Sequence, residues 1–165
     1  PIAQTKPSRT LPPPVFPAPN IRGQQTNTES QSTLLNAIWY TVYPPKDTQF
    51  PADFDKIDQL LKDRDFSKAY VRIQFLERKM PNDIQLLYVK GYCLLEMGEG
   101  REALRTFEQL EKITSQWSAE MTWYKGLAFL MTNNPSQARA AFQSISRQDN
   151  HPFQQEALKA LNLMK

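Results

Sequence analysis

The pattern of apolar and polar residues predicts a series of short amphipathic helices after Pro51. Apolar side chains recur there at spacings of three and four, which places them on one face of a helix. Two helices are predicted between Pro51 and Pro81, with Asp65 as the N-cap of the second. Two more helix pairs follow, and they turn at Gly98-Glu99-Gly100 and at Asn133-Asn134.

Capping residues mark where the later helices begin. Asn82 is predicted to cap the second pair of helices. Asn134 is predicted to cap a helix whose first residue is Pro135, and Gln137 is placed to complete a capping box. A last helix, after Pro152, has one apolar stripe and one polar side, which suits the end of a helical stack.

The second and third helix pairs repeat at an offset of 35 residues. The first copy contains Lys90-Gly91, Ala103, Phe107 and Leu110, and the second contains Lys125-Gly126, Ala138, Phe142 and Ile145. A period of 34 to 35 residues is typical of stacked helical hairpins. The predicted fold is all-α, with about three hairpins and a C-terminal capping helix in residues 51–165.

The N-terminal third has a different composition. Residues 1–33 contain seven prolines among the first 19, followed by Asn, Thr, Ser and Gln. Such a segment favours extended polyproline II structure and is predicted to be a linker or spacer. A ligand for a proline-recognising groove is the alternative.

A short aromatic segment, residues 34–50, separates this linker from the repeats. Its apolar part, residues 34–43, contains a Trp and two Tyr and would be costly to leave in water. Two positions are open for it. It either covers the exposed face of the first hairpin or lies in the groove of the repeat array.

The charge pattern argues against nucleic acid as a partner. The chain has 20 basic and 17 acidic residues, and no segment concentrates the basic ones as phosphate binding requires. No run of apolar residues is long enough to cross a membrane. The first residue is Pro1, so we expect a processed chain or a piece of a longer one, with any signal or anchor upstream.

The chain contains few residues of the types that enzymes use in catalysis. The single cysteine, Cys93, lies in an apolar run, and the single histidine, His151, falls in another hairpin. No metal-ligand spacing and no phosphate-binding loop is present, since Gly98-Glu99-Gly100 is a turn between helices. We therefore expect no enzymatic activity and no cofactor.

The repeated residues resemble those of the tetratricopeptide repeat family. Gly91 and Gly126 match the family's small residue in the first helix, while Phe107 and Phe142 match its aromatic residue in the second. The chain departs from the family where Ile57 stands in place of the glycine. The resemblance implies a right-handed stack of hairpins in which small residues let paired helices approach closely.

A second resemblance concerns the order of segments. Trp39-Tyr40-Thr41-Val42-Tyr43-Pro44 ahead of the repeats, and His151-Pro152-Phe153 before the closing helix, are similar to segments of bacterial membrane-anchored tetratricopeptide proteins. This resemblance implies a periplasmic domain tethered through a segment upstream of this chain. Without such a tether the expected location is cytoplasmic.

The family resemblance also implies a binding groove lined by the first helix of each hairpin. The lining positions are Gln85, Tyr88, Tyr92 and Leu95 in the second hairpin and Glu120, Trp123, Leu127 and Leu130 in the third. Tyr and Trp are frequent binding hot spots, although aromatic residues at helical spacing also form cores, and both readings stay open for Trp123.

An aromatic groove suits an apolar or amphipathic peptide of a protein partner. The family's clamp for the C-terminal carboxylates of chaperones is absent, because Tyr88 and Trp123 stand at clamp positions. The predicted function is therefore a protein-interaction scaffold. The alternative is a homodimer in which residues 34–43 of one chain occupy the groove of another.

Overall fold

The computed structural model describes residues 25–39, residue 41 and residues 52–165, and this part of the chain is all-α as predicted. Its eight helices are α1 Gln25–Ile38, α2 Ala52–Lys62, α3 Phe66–Glu77, α4 Ile84–Glu96, α5 Gly100–Ile113, α6 Ser118–Met131, α7 Pro135–Ser146 and α8 Gln154–Leu163. None of these helices is long and apolar enough to cross a membrane.

The helices from α2 to α8 form a continuous series. Each packs on the next one along the chain, and α4 also contacts α6. The pairs α2–α3, α4–α5 and α6–α7 are three helical hairpins, and α8 covers α7 at the end of the series. One apolar core runs through all of them.

The turn within each hairpin has the same backbone geometry in all three copies. Arg64, Gly98 and Asn133 have φ angles of 59°, 82° and 60°, in the left-handed region. The next residue in each turn donates its N–H over 2.8 Å to the carbonyl five residues back; the pairs are Asp65–Leu60, Glu99–Leu94 and Asn134–Phe129. This is a Schellman helix end. The first hairpin, whose sequence matches the repeat least, therefore closes as the other two do.

A second series of left-handed residues lies between successive hairpins and between the last hairpin and α8. Asn82, Trp117 and Asn150 have φ angles of 64°, 61° and 63°. This conformation is uncommon for a residue as bulky as Trp117, whose ring packs on Tyr88 with centroids 4.6 Å apart. The ring is half-buried, and its packing on Tyr88 opposes the backbone cost.

Two of the predicted helix caps differ in the structure. Asp83, not Asn82, caps α4, because Asn82 is in the left-handed conformation and the Asp83 carboxylate accepts from the N–H groups of Gln85 and Leu86. Asn134 does occupy the N-cap of α7, but its amide donates to Thr132 instead of accepting from the helix. No capping box with Gln137 forms there. The predicted Asp65 cap of α3 is confirmed, since its side chain accepts from the Lys68 N–H.

Glycine lets the two helices of a hairpin approach closely, as predicted. A Cβ atom on Gly91 would lie under 3.0 Å from ring carbons of Phe107, and one on Gly126 would meet Phe142 in the same way. The same interlock therefore closes the second and third hairpins.

A matching pair of ion pairs joins successive hairpins. Lys90 of α4 reaches Glu77 of α3 at 2.9 Å, and Lys125 of α6 reaches Glu111 of α5 at 2.8 Å. Both cations are the lysines that precede the interlocked glycines. The 35-residue period thus repeats contacts within hairpins and between them.

Helix α1 differs most from the sequence-based expectation. It begins at Gln25, so the boundary predicted between linker and aromatic segment falls inside a helix. Its main contacts are with α6 and α8, at the far end of the series from α2. Of the two positions open for residues 34–43, the one on the first hairpin is not taken, because the described residues of this segment pack mainly on α6 and α8. The proline-rich run and the Tyr43-Pro44 ending lie outside the described residues.

Candidate protein-binding surface

Helix α1 and the two described residues after it lie across the first helices of the later hairpins and α8. We call the side of α4, α6 and α8 that meets this segment the inner surface. Leu35, Ile38 and Trp39 are buried against the core, whereas Asn36 and Ala37 are exposed. The spacing of three and four gives α1 one apolar edge, which is the edge it buries.

Seven of the eight side chains predicted for the groove are buried within the chain. These are Gln85, Tyr88, Tyr92, Leu95, Trp123, Leu127 and Leu130, whereas Glu120 is half-buried. The structure therefore brings the predicted set together, but a partner has no open access to it. The sequence patterns alone could not indicate that other parts of the same chain bury these side chains.

Trp123 is a core residue between the third hairpin and α8. Its indole stacks on the Phe153 ring, with centroids 5.7 Å apart and an interplanar angle of 3°. The Phe142 ring packs on it at 5.1 Å. Of the two readings left open for Trp123, the packing supports the core.

Tyr88 belongs to a second aromatic cluster inside the array. Its ring packs on Trp117 and, at 6.3 Å, on Tyr124. Burial raises the pKa of this phenol, so it stays protonated throughout the physiological range.

Tyr92 is the member of the predicted set that lies beside the segment after α1. Its ring meets Phe66 edge-to-face at 6.1 Å, and the Thr41 side chain lies next to its hydroxyl. Burial and the neighbouring Glu96 carboxylate both raise the pKa of this tyrosine. Tyr92 therefore faces the occupant of the inner surface, whereas Tyr88 faces the third hairpin and Trp123 faces α7 and the start of α8.

Glu96, which the sequence patterns did not single out, lies at the point where the docked segment meets α4. Its side chain is 1% exposed, and the Thr41 hydroxyl donates to its Oε1 atom over 2.7 Å. The Arg64 guanidinium stands 3.9 Å from its Oε2 atom. Burial raises the pKa of this carboxyl, while Thr41 and Arg64 act to lower it.

Two polar contacts hold the helix itself against the array. Lys159 of α8 donates from Nζ to the carbonyl of Ala37 over 2.7 Å, in the last turn of α1. Gln31 donates to the side chain of Asn133 in the turn between α6 and α7. A cleft of about 260 Å³ lies between the end of α1 and α8; it is lined by Ala37, Ile38, Trp39, Gln155, Glu156 and Lys159. Packing of α1 on α8 is thus incomplete.

The cysteine and the histidine are both in structural surroundings. The Cys93 thiol is buried in α4, and burial raises its pKa, so it carries little of the reactive thiolate. His151 accepts from the Phe153 N–H at Nδ1 over 3.2 Å, ahead of α8. Within the described residues, no group of three His, Cys, Asp or Glu side chains could hold a metal ion.

Comparison with protein-family models, with curated proteins and with solved structures returns no match. The inner surface with its docked helix is therefore the feature of this chain that indicates a function.

Proposed function

We propose that this protein is a protein-interaction module of the tetratricopeptide type, a right-handed stack of hairpins that binds an apolar or amphipathic helix of a partner on its inner surface. The repeated Schellman turns and the glycine–phenylalanine interlocks support the assignment to this type. Both recur at equivalent positions of successive hairpins, as expected of a repeat array.

The observation that carries the proposal is the position of α1. An amphipathic helix of this chain lies across α6 and α8, with its apolar edge inward and its polar edge exposed. Helix-in-groove recognition uses the same i, i+3, i+4 spacing of apolar anchors. In the proposed mechanism a partner helix replaces α1. The partner then buries the apolar part of the inner surface that the departure of α1 exposes.

Displacing α1 tests this function. The full chain carrying Leu35→Asp and Ile38→Asp should expose the inner surface, because two charges cannot stay buried in an apolar contact. A matched control carries the same charges at exposed positions, Asn36→Asp and Ala37→Asp. Each variant, confirmed as folded by circular dichroism, is used for affinity capture from the source cells with identification by mass spectrometry.

Competition connects the captured protein with the inner surface. We expect a partner retained by the displaced variant, held less by wild type and by the control, and released by a peptide of residues 25–41. Equal capture by all three proteins, or retention in the presence of the peptide, contradicts the proposal.

The same contact supports a second candidate function, homodimerisation by exchange of α1. This helix is the first of the described ones, yet it docks on α6 and α8, and residues 42–51 lie between Thr41 and α2. A second copy could therefore supply an identical α1. Dimer mass in light scattering that rises with concentration and disappears when residues 1–45 are deleted would favour exchange; a monomer at high concentration excludes it.

A further inference from the structure

Glu96 is a carboxylate that the stability of the array does not require. It is the last residue of α4, where the partial negative charge of the helix end disfavours another negative charge. Its nearest cation, Arg64, is at 3.9 Å, and its Oε2 atom has no hydrogen-bond partner among the described residues. A buried acid in this position costs folding free energy that an apolar residue would not.

The docked segment supplies donors to this carboxyl, which also lies beside the Tyr92 hydroxyl of α4. The Thr41 hydroxyl donates to Oε1, and the Trp39 indole hydrogen-bonds to the same carboxyl. An indole N–H is solely a donor, and a carboxylate is solely an acceptor. The two side chains therefore match Glu96 in chemistry as well as in position.

We propose that Glu96 is a specificity-determining residue of the inner surface, and that it selects helices whose apolar edge ends in an aromatic donor followed, two residues later, by a hydroxyl. This inference rests on the proposed function and narrows the partner to one pattern. In this chain the pattern is Leu35 and Ile38 of α1 followed by Trp39 and Thr41, and a partner segment carries the same types at the same spacing.

The division of roles on the inner surface follows from the contacts. Lys159 binds a backbone carbonyl of α1, which any helix offers, so it fixes where the helix ends and not which helix binds. The apolar core accepts Leu35 and Ile38 by area alone. Glu96 is different, because a helix without a hydroxyl at the Thr41 position leaves Oε1 of this buried carboxyl without that donor, and the penalty disfavours such a helix.

A double-mutant cycle between Glu96 and Thr41 tests the inference. The full chain with Leu35→Asp and Ile38→Asp is titrated with a fluorescein-labelled peptide of residues 25–41, read by anisotropy. The cycle combines Thr41→Val in the peptide with Glu96→Leu in the protein. A peptide with Asn36→Ala, at an exposed position, is the matched control.

We expect Thr41→Val to weaken binding to the Glu96 protein roughly 10-fold or more, since the lost bond is to a charged group. On the Glu96→Leu protein the same change should matter less than about 2-fold. An equal loss on both proteins overturns the role of Glu96. If the unaltered peptide fails to bind the folded displaced variant, the proposed function fails instead, so the two failures are distinguishable.

The same cycle can be measured without displacing α1, which covers the case in which the double aspartate variant does not fold. Thr41→Val in the otherwise unaltered chain should speed hydrogen exchange of the α1 amides roughly 10-fold or more, with the array unchanged. With Glu96→Leu the two rates should agree within about 2-fold. A difference that persists in the Glu96→Leu background contradicts the inference.

Discussion

Two single residues, Glu96 and Gly91, determine how their neighbours pack. Glu96 keeps a carboxyl under the docked segment, and Gly91 lets Phe107 reach the backbone of α4. The sequence alone indicated the role of only one of these two residues. Gly91 stood out through the repeat, whereas Glu96 has no periodic counterpart and became significant only when Thr41 was placed beside it.

The buried Glu96 carboxyl gives the chain a specific pH dependence. Its pKa in the folded chain is raised above the ordinary value of 4.5, mainly by burial. Folding therefore favours the protonated form, and this contribution is lost as pH rises from 4.5 through the raised pKa. We expect Glu96→Gln, which cannot ionise, to gain stability relative to wild type across that range and to level off above it. Urea unfolding of both proteins at several pH values measures the difference, and a constant difference contradicts the prediction.

Filling the glycine interlock should destabilise the second hairpin. In Gly91→Ala the new methyl group meets the Phe107 ring, and overpacking of this kind costs about 1–3 kcal/mol. The change in unfolding free energy by urea denaturation checks this. The double variant Gly91→Ala with Phe107→Leu relieves the clash, so we expect it to lose less than the sum of the two single changes. Strict additivity would mean that the two residues do not interlock.

At the scale of elements, the helices of the repeats were predictable and α1 was not. Spacing, caps and turn residues are local, so the sequence predicted all three hairpins and the closing helix. Residues 25–33 are Gln, Asn, Thr, Ser and Glu, which carry no apolar edge, so nothing in their own sequence favours a helix. Their helix continues into Leu35 and Ile38, whose burial depends on α6 and α8.

The predicted groove illustrates the same limit. Positions of the lining residues follow from the repeat, and the structure brings them together along α4 and α6. Their burial depends on packing with other elements, and for the inner surface on a helix distant in sequence, as the contact of Lys159 in α8 with Ala37 in α1 shows. Local patterns contain no information about such a contact.

Docking of α1 should depend on its apolar edge and not on its helical propensity. Ile38→Ala removes a buried side chain, and we expect the free energy that protects the α1 amides from exchange to fall by about 2 kcal/mol. Asn36→Ala, on the exposed edge, is the control and should protect α1 equally or slightly better because alanine favours helix. Hydrogen exchange followed by mass spectrometry measures both. Equal protection of the α1 amides in the two variants would mean that Ile38 does not contribute to the docking of α1.

At the scale of the whole molecule, each hairpin depends on its neighbours. Successive helices pack in order, and the only described helix that connects distant parts is α1. In such a linear array the effect of a core substitution spreads to adjacent units and weakens with distance. We therefore expect the local stability to fall most in the units nearest a substitution. Substitution of a residue near one end of the array tests this expectation most clearly.

Trp123 is that residue, because it joins α6 to α7 and to the start of α8 through its contacts with Phe142 and Phe153. We expect Trp123→Ala to lower the free energy of unfolding by about 3–5 kcal/mol, as for other large aromatic residues in cores. Hydrogen exchange should increase most in α6, α7 and α8 and least in α2 and α3. Thr122→Ala, at the neighbouring half-buried position, serves as the control and should change stability little.

Two outcomes would contradict this prediction. A Trp123→Ala protein of unchanged stability that no longer binds its partner would mean that Trp123 is a binding residue and not a core residue. A uniform rise in hydrogen exchange would mean that the array unfolds as one unit.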